Sequence, residues 1–155
     1  IAVRGIIFKK EQFLLVELCH GQVMLAGGGI DKDETHEDAL KREILEETGY
    51  CCKSVGPLVG RVLERREDFY QPDKLFEMSS YYYLAEPTEE IFDQQLEGYE
   101  KELEYKPVWL SLSEAVQKNE QFRKKLPEND LWILRDIYVL SQLQQIGLEK
   151  IKEML

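Results

Sequence analysis

The sequence predicts a single domain of mixed α/β class. Short apolar runs bounded by turn residues read as strands before residue 26 and again between 55 and 84. Two capped segments, 35–48 and about 130–145, read as helices, the second with apolar residues at helical spacing. The 155 residues suit one ordinary domain and are too few for two well-cored ones, and no linker or internal repeat divides residues 1–155.

Val3 to Phe8 is the first expected strand, Lys9 to Gln12 its polar turn, and Phe13 to Leu18 the returning strand. Val23-Met24-Leu25 forms a third short run closed by Gly27-Gly28-Gly29. Thr35 is a sound N-cap for the first helix. Glu37 and Asp38 follow in the first turn, where the helix dipole favours anions, and Gly49 is its natural stop. Val55 to Leu63 and Phe76 to Leu84 are expected as strands. Tyr81 and Tyr83 share a face of the second and read as core packing, with base stacking as the alternative.

Val108 to Leu110 is a last short strand, and Ser113 is expected to cap a brief helix ending at Asn119. The C-terminal helices occupy about 129–155. Asn129 caps the longest, which runs from Asp130 to Gln145 and stops at Gly147. Its stripe of Ile133, Ile137, Leu140 and Leu143 reads as a core face, with a homodimer contact as the alternative.

Twenty Lys and Arg against thirty Asp and Glu give a formal charge of −10, so duplex nucleic acid is repelled. No apolar stretch approaches the roughly 18 residues of a membrane-spanning helix. The run Ile1 to Phe8 is too short and strand-like for a signal peptide, and the missing initial Met suggests a trimmed N-terminus. Cys19, Cys51 and Cys52 are odd in number and lack CxxC spacing, which reads as reduced thiols in a cytoplasmic protein. Between Glu86 and Glu104 stand eight acids against one base, Lys101, and that density predicts a mobile acidic loop, with recruitment of a divalent cation as a metal-completing lid the further reading.

The chemistry lies between Gly28 and Tyr50. On a helix, Glu43, Glu46 and Glu47 fall at i, i+3 and i+4, so their carboxylates share one face. Like charges at that spacing cost about 0.2–0.5 kcal/mol per pair. The nearby helix C-terminus opposes them further. Only Arg42, four residues before Glu46, stands one turn away to relieve them. An arrangement that local electrostatics opposes asks for a missing partner, and a hard divalent cation with oxygen ligands is the natural one. A solvated acidic face is the alternative.

The full spacing decides between them. Gly28, Glu34 and Arg42-Glu43-Ile44-Leu45-Glu46-Glu47-Thr48-Gly49 together resemble the Nudix box, with Tyr50 in place of an aliphatic residue as the one departure. The strands around the box and the Trp109 to Glu114 segment also follow the Nudix layout, over about Val3 to Val139. The resemblance implies an α/β/α sandwich with a mixed, curled central sheet. It also implies hydrolysis of a phosphoanhydride in a nucleoside diphosphate linked to another moiety, such as a nucleotide or sugar, with Mg²⁺ or Mn²⁺. Divalent ions suit that reaction because they neutralise phosphate oxygens and acidify water.

On that resemblance Glu46 and Glu47 are the principal metal ligands and Glu43 a further one, while Arg42 pairs with a carboxylate and holds its rotamer. Glu34 supports from behind, and the Gly28 carbonyl is a candidate ligand. The family sometimes draws its general base from a loop before the strand carrying the Trp109 equivalent. Glu104, five residues before Trp109, is the first choice and Glu102 the second. Arg4, Arg61, Arg65 and Arg66 are the available phosphate-facing cations.

Marks of particular substrate subfamilies are absent after the box: Arg65, Arg66, Glu67 and Asp68 stand where a proline or tyrosine would. A Nudix-fold sensor that binds without cleaving is the alternative, but such proteins lose box carboxylates and all are present here. A prenyl diphosphate isomerase would need a cysteine context that the three cysteines lack. Glu46→Gln should lower metal affinity and cut turnover by orders of magnitude while the fold survives. Undiminished hydrolysis by that variant would refute the assignment.

Overall fold

The computed structural model describes residues 1–68, 70–128 and 132–155. In chain order the strands are β1 (Ala2–Ile6), β2 (Phe8–Lys9), β3 (Gln12–Glu17), β4 (Val23–Met24), β5 (Tyr50–Glu67), β6 (Leu75–Ile91) and β7 (Lys106–Leu110). The helices are α1 (His36–Thr48), α2 (Gly98–Glu102), α3 (Leu112–Arg123), α4 (Leu134–Ile146) and α5 (Leu148–Glu153). β1 runs parallel to β6, which pairs antiparallel with β5, giving a mixed sheet in the order β1-β6-β5. β3 anchors a second, antiparallel sheet with β2, β4 and β7.

Two apolar layers flank these sheets. Ala39, Leu40 and Ile44 of α1 bury against Val3, Leu14, Val16 and Met24. Leu112 and Ala115 of α3, Leu140 and Leu143 of α4 and Ile151 of α5 bury against Ile6, Phe13, Leu15 and Leu84. Successive residues of β3 alternate between the layers, as the two-residue period of a strand requires. Each fully buried aliphatic side chain contributes roughly 1.5–3 kcal/mol. Gly5 lets α1 come close, since a Cβ there would stand 2.9 Å from Ile44 Cδ1. The result is the expected helix–sheet–helix arrangement.

The first helix matches its expected bounds. Thr35 Oγ1 accepts the Asp38 N–H at 3.1 Å, and the Gly49 N–H donates to the Leu45 carbonyl at 2.8 Å from a left-handed φ of 76°. Several other expectations need correction. The chain leaves the first sheet at Ile7, so Val3 to Phe8 is not one strand. β5 and β6 extend well beyond 55–63 and 76–84, held by a ladder that tolerates four register shifts between Tyr50 and Gly60. Tyr81 and Tyr83 pack on His36, whose Nδ1 lies 2.8 Å from the Tyr83 hydroxyl, so they serve packing rather than base stacking.

The acidic stretch 86–104 is not a free loop. Its first part completes β6, and its last part forms α2 behind a capping box of Glu97 and Glu100. Ser111, not Ser113, caps α3: its hydroxyl accepts the Glu114 N–H, and the Glu114 carboxylate accepts the Ser111 N–H. The reciprocal pair needs an acid at the third helical position, which Ser111 has. Asn129 and Asp130 lie outside the described residues. α4 ends at Gly147 as expected. Ile133, Ile137, Leu140 and Leu143 are all buried within the chain, so a homodimer would have to use another surface.

A Cβ at Gly49 would collide with the Phe92 carbonyl as well as forcing a left-handed φ. Gly49→Ala should therefore cost more than the ~1–2 kcal/mol of left-handed strain alone. Thr35→Ala should cost about 1 kcal/mol. Urea unfolding of both variants checks the order, and a smaller loss for Gly49→Ala would contradict it.

Candidate active site

Helix α1 presents Glu43 and Glu47 one turn apart toward the segment 26–29, which runs alongside β1. The Val3 N–H donates to the Gly28 carbonyl and the Gly5 N–H to the Ala26 carbonyl, both at 2.9 Å. That pairing aims the Gly27 N–H at Glu47, whose Oε2 accepts it at 2.8 Å. Gly27 has a φ of 141° and touches the Val3 carbonyl so closely that no side chain fits. At Gly28 a Cβ would stand 2.7 Å from the Glu43 carboxyl carbon. Two glycines thus let the backbone press against two carboxylates.

Arg42 organises the outer side. Its Nε and Nη2 donate to the two oxygens of Glu34, each at 2.8 Å, and Nη1 donates to Glu43 at 2.8 Å and to Glu46 at 3.1 Å. Nη2 also donates to the Gly29 carbonyl at 3.0 Å. This fork, helped by the Asp31 N–H, holds the Glu34 carboxyl down to about 2. Glu43 moves the other way, because burial outweighs its bond from Arg42. Glu47 is pushed up to about 8 by burial, against the Gly27 N–H and the charge of Arg4.

A third carboxylate completes the group. Glu100 of α2 meets Glu43 and Glu47, with one oxygen from each lying within 4.8 Å of the others. Three hard oxygens converge, and among the described residues no side-chain cation hydrogen-bonds to Glu47. That donor set fits a divalent cation such as Mg²⁺ or Mn²⁺.

A model of the NUDIX domain family matches residues 1–129 of the chain. The chain belongs to the NUDIX family. Among solved structures it is similar to a NUDIX hydrolase from Nitrosomonas europaea, at 19% identity over 89% of this chain and 87% of that one, with a TM-score of 0.58. A MutT NUDIX hydrolase from Burkholderia pseudomallei is similar at 21% identity over 72% of this chain and 82% of that one, TM-score 0.54. A UDP-X diphosphatase aligns at 18% identity over 93% of this chain and 62% of that one, TM-score 0.55. These likenesses show the fold. No curated protein matches in sequence.

In this NUDIX-family chain the box residues lie where α1 and the glycine segment meet. Glu43, Glu47, Glu34, Arg42 and Gly28 come together, and Glu46 borders the same cavity of about 430 Å³ with Arg42 and Glu100. The Gly28 carbonyl accepts the Val3 N–H with one of its two lone pairs. Glu104 and Glu102 are exposed and stand outside the carboxylate group, which Glu100 joins instead. The signal for Glu100 was its capping-box spacing from Glu97, which fixes α2 and turns Glu100 inward. Gln94 was also missed: its Nε2 donates to the carbonyls of Glu47 and Tyr105, tying the end of α1 to the approach to β7.

Arg4 is buried beneath a second cavity of about 370 Å³, which Glu47 also lines. Its Nη1 donates to the carbonyls of Leu25 and Gly27 at 3.2 and 3.0 Å. Arg61 and Arg65 lie on exposed β5, away from the carboxylates, with Arg65 paired to Glu77 at 2.7 Å.

Because the folded Glu34 carboxyl sits at about 2, below its ordinary 4.5, its contribution is present above pH 4.5 and is lost as pH falls toward 2. Denaturant unfolding across pH should show Glu34→Gln less stable than the wild type at pH 6, with the difference shrinking between pH 5 and pH 3. A constant difference would mean that the Arg42 fork does not depend on ionised Glu34.

Proposed function

We propose that the protein hydrolyses a phosphoanhydride bond in a nucleoside diphosphate joined to another moiety, using Mg²⁺ or Mn²⁺. The observation that carries this reading is the convergence of Glu43, Glu47 and Glu100 in a site where local electrostatics leaves the charges under-compensated. Those three residues would hold the metal, with Glu46, expected from the sequence as a principal ligand, outside their group at the border of the cavity. When bound, the metal would supply positive charge to the phosphate oxygens and acidify a water. Glu46, steadied by Arg42 at the border of the cavity, is placed to orient that water and take its proton. Arg4 faces the substrate cavity and is assigned to the phosphate or sugar side of the substrate. The complete set of box carboxylates favours hydrolysis over a sensor that binds without cleaving.

The neighbour titled a UDP-X diphosphatase is consistent with this substrate class. The substrate is thus a small molecule, with neither duplex nucleic acid nor a membrane as partner, and the charge of −10 supports the first exclusion. A cytoplasmic location suits three free thiols.

Phosphate or nucleoside monophosphate release from a panel of nucleoside diphosphate derivatives, with and without Mg²⁺, tests the reaction. Within it, Glu100→Gln should lower kcat by at least about 10- to 100-fold and weaken metal binding. Glu104→Gln should stay within about twofold of the wild type. The reverse order would return the role to Glu104.

A further inference from the structure

Beyond the cavity that Glu47 and Arg4 line lies a basic groove of about 500 Å³, along the open edge of β5 and under the first turns of α4. The inner cavity adjoins the carboxylate cavity across Gly29 and Tyr99, and adjoins the groove across Glu64, Arg66 and Arg135. The carboxylate cavity and the groove share no residue, so the three spaces stand in series with the inner cavity in the middle.

Four arginines, Arg61, Arg65, Arg66 and Arg135, line the groove against one carboxylate, Glu64. Glu64 is divided between Arg66 at 3.4 Å and Arg135 at 3.6 Å. Arg65 spends only its Nε on Glu77, and Arg61 makes no ion pair or hydrogen bond among the described residues. Arg135 is also held by Asp136 at 3.0 Å, so on a chain of net charge −10 the uncommitted guanidinium donors of the groove are those of Arg61 and the Nη atoms of Arg65.

We propose that the groove binds a second phosphate, carried on the ribose of the substrate nucleoside. The substrates would then be nucleoside 5′-diphosphate derivatives bearing a 2′- or 3′-phosphate. This rests on the preceding reading, which puts the anhydride at the carboxylates. With the 5′-phosphates there, the nucleoside falls in the inner cavity, where Phe76, Met78 and Trp132 offer apolar and aromatic walls. An anion in the groove must then hang from the nucleoside on the side away from its 5′ carbon. The ribose 2′ and 3′ oxygens are where a nucleoside carries such a phosphate. A longer 5′-polyphosphate would put its extra charge back among the carboxylates, where these arginines do not reach. Guanidinium forks suit phosphate oxygens pairwise.

The test is equilibrium binding by calorimetry to the full chain in Mg²⁺, with ADP, adenosine 3′,5′-bisphosphate and adenosine 2′,5′-bisphosphate, and with the guanosine counterparts. ADP carries the same number of phosphates in a different place. Because two phosphomonoesters carry up to about one more negative charge than a diphosphate, the preference counts only if the double substitution of Arg61 and Arg65 removes it. At least one bisphosphate should bind about tenfold or more tightly than the diphosphate of the same base. The doubly substituted Arg61→Ala, Arg65→Ala protein should bring that ratio close to one. Equal binding of the three adenosine and three guanosine probes, no binding by any, or a ratio that survives the double substitution overturns the proposal. The readout needs no turnover, so a protein that prefers bisphosphates yet hydrolyses nothing would sink the reading of the reaction and leave this one standing.

Discussion

Arg42 donates at once to Glu34, Glu43 and Glu46, and among the described residues it is the only side-chain cation hydrogen-bonded to the box carboxylates of α1. One guanidinium cannot neutralise that set. Its fork is fixed by Glu34, which takes two of its donors and stays ionised, so the remaining Nη1 is aimed at the helix face by geometry rather than by chance. Glu47, one turn beyond Glu43, receives only a backbone N–H and the distant charge of Arg4, and burial raises its carboxyl accordingly. A buried carboxylate in that state is costly to ionise without a further positive charge. The helix, the glycine segment and α2 all hold oxygens around the place where that charge would sit. The protein gives up local stability to keep the place ready, as functional sites commonly do.

Much of this was legible in the sequence because it is local. The Thr35 cap, the Gly49 stop and the i, i+3, i+4 spacing of the glutamates depend on residues within one helix, and the structure agrees with each. What the sequence hid was set at a distance. The true extent of β5 and β6 comes from their mutual pairing, which adds residues 50–54 and 64–67 to the first and carries the second on through Pro87 to Ile91. The charge of the 86–104 stretch suggested self-repulsion, but β6 takes its first acids into the ladder with β5 and α2 uses two others as a capping box. Glu104 was chosen by its distance from Trp109, yet its left-handed φ of 53° at the exit of α2 leaves it outside the cluster. Inward direction in a short helix follows from its cap, and Glu97 and Glu100 set that cap.

The position of the site follows from how the two sheets meet. At Ile7 the chain leaves β1 and enters the second sheet, and the segment after β4 returns to lie along the free side of β1. That return brings Gly27 and Gly28 to the end of α1. Alternate residues of β1 face opposite helical layers: Val3 and Gly5 toward α1, Arg4 and Ile6 toward α4. Arg4 is therefore a cation on the α4 side whose Nη1 secures the carbonyls of Leu25 and Gly27, while the Gly27 N–H secures Glu47. A single residue, Gly27, thus couples the buried arginine of one layer to the buried glutamate of the other. Arg4 Nε is buried and has no hydrogen-bond partner among the described residues. The strand that divides the two hydrophobic layers also joins the carboxylate side of the site to its cationic side. A substrate with phosphates at one end and an organic body at the other would meet both along one path.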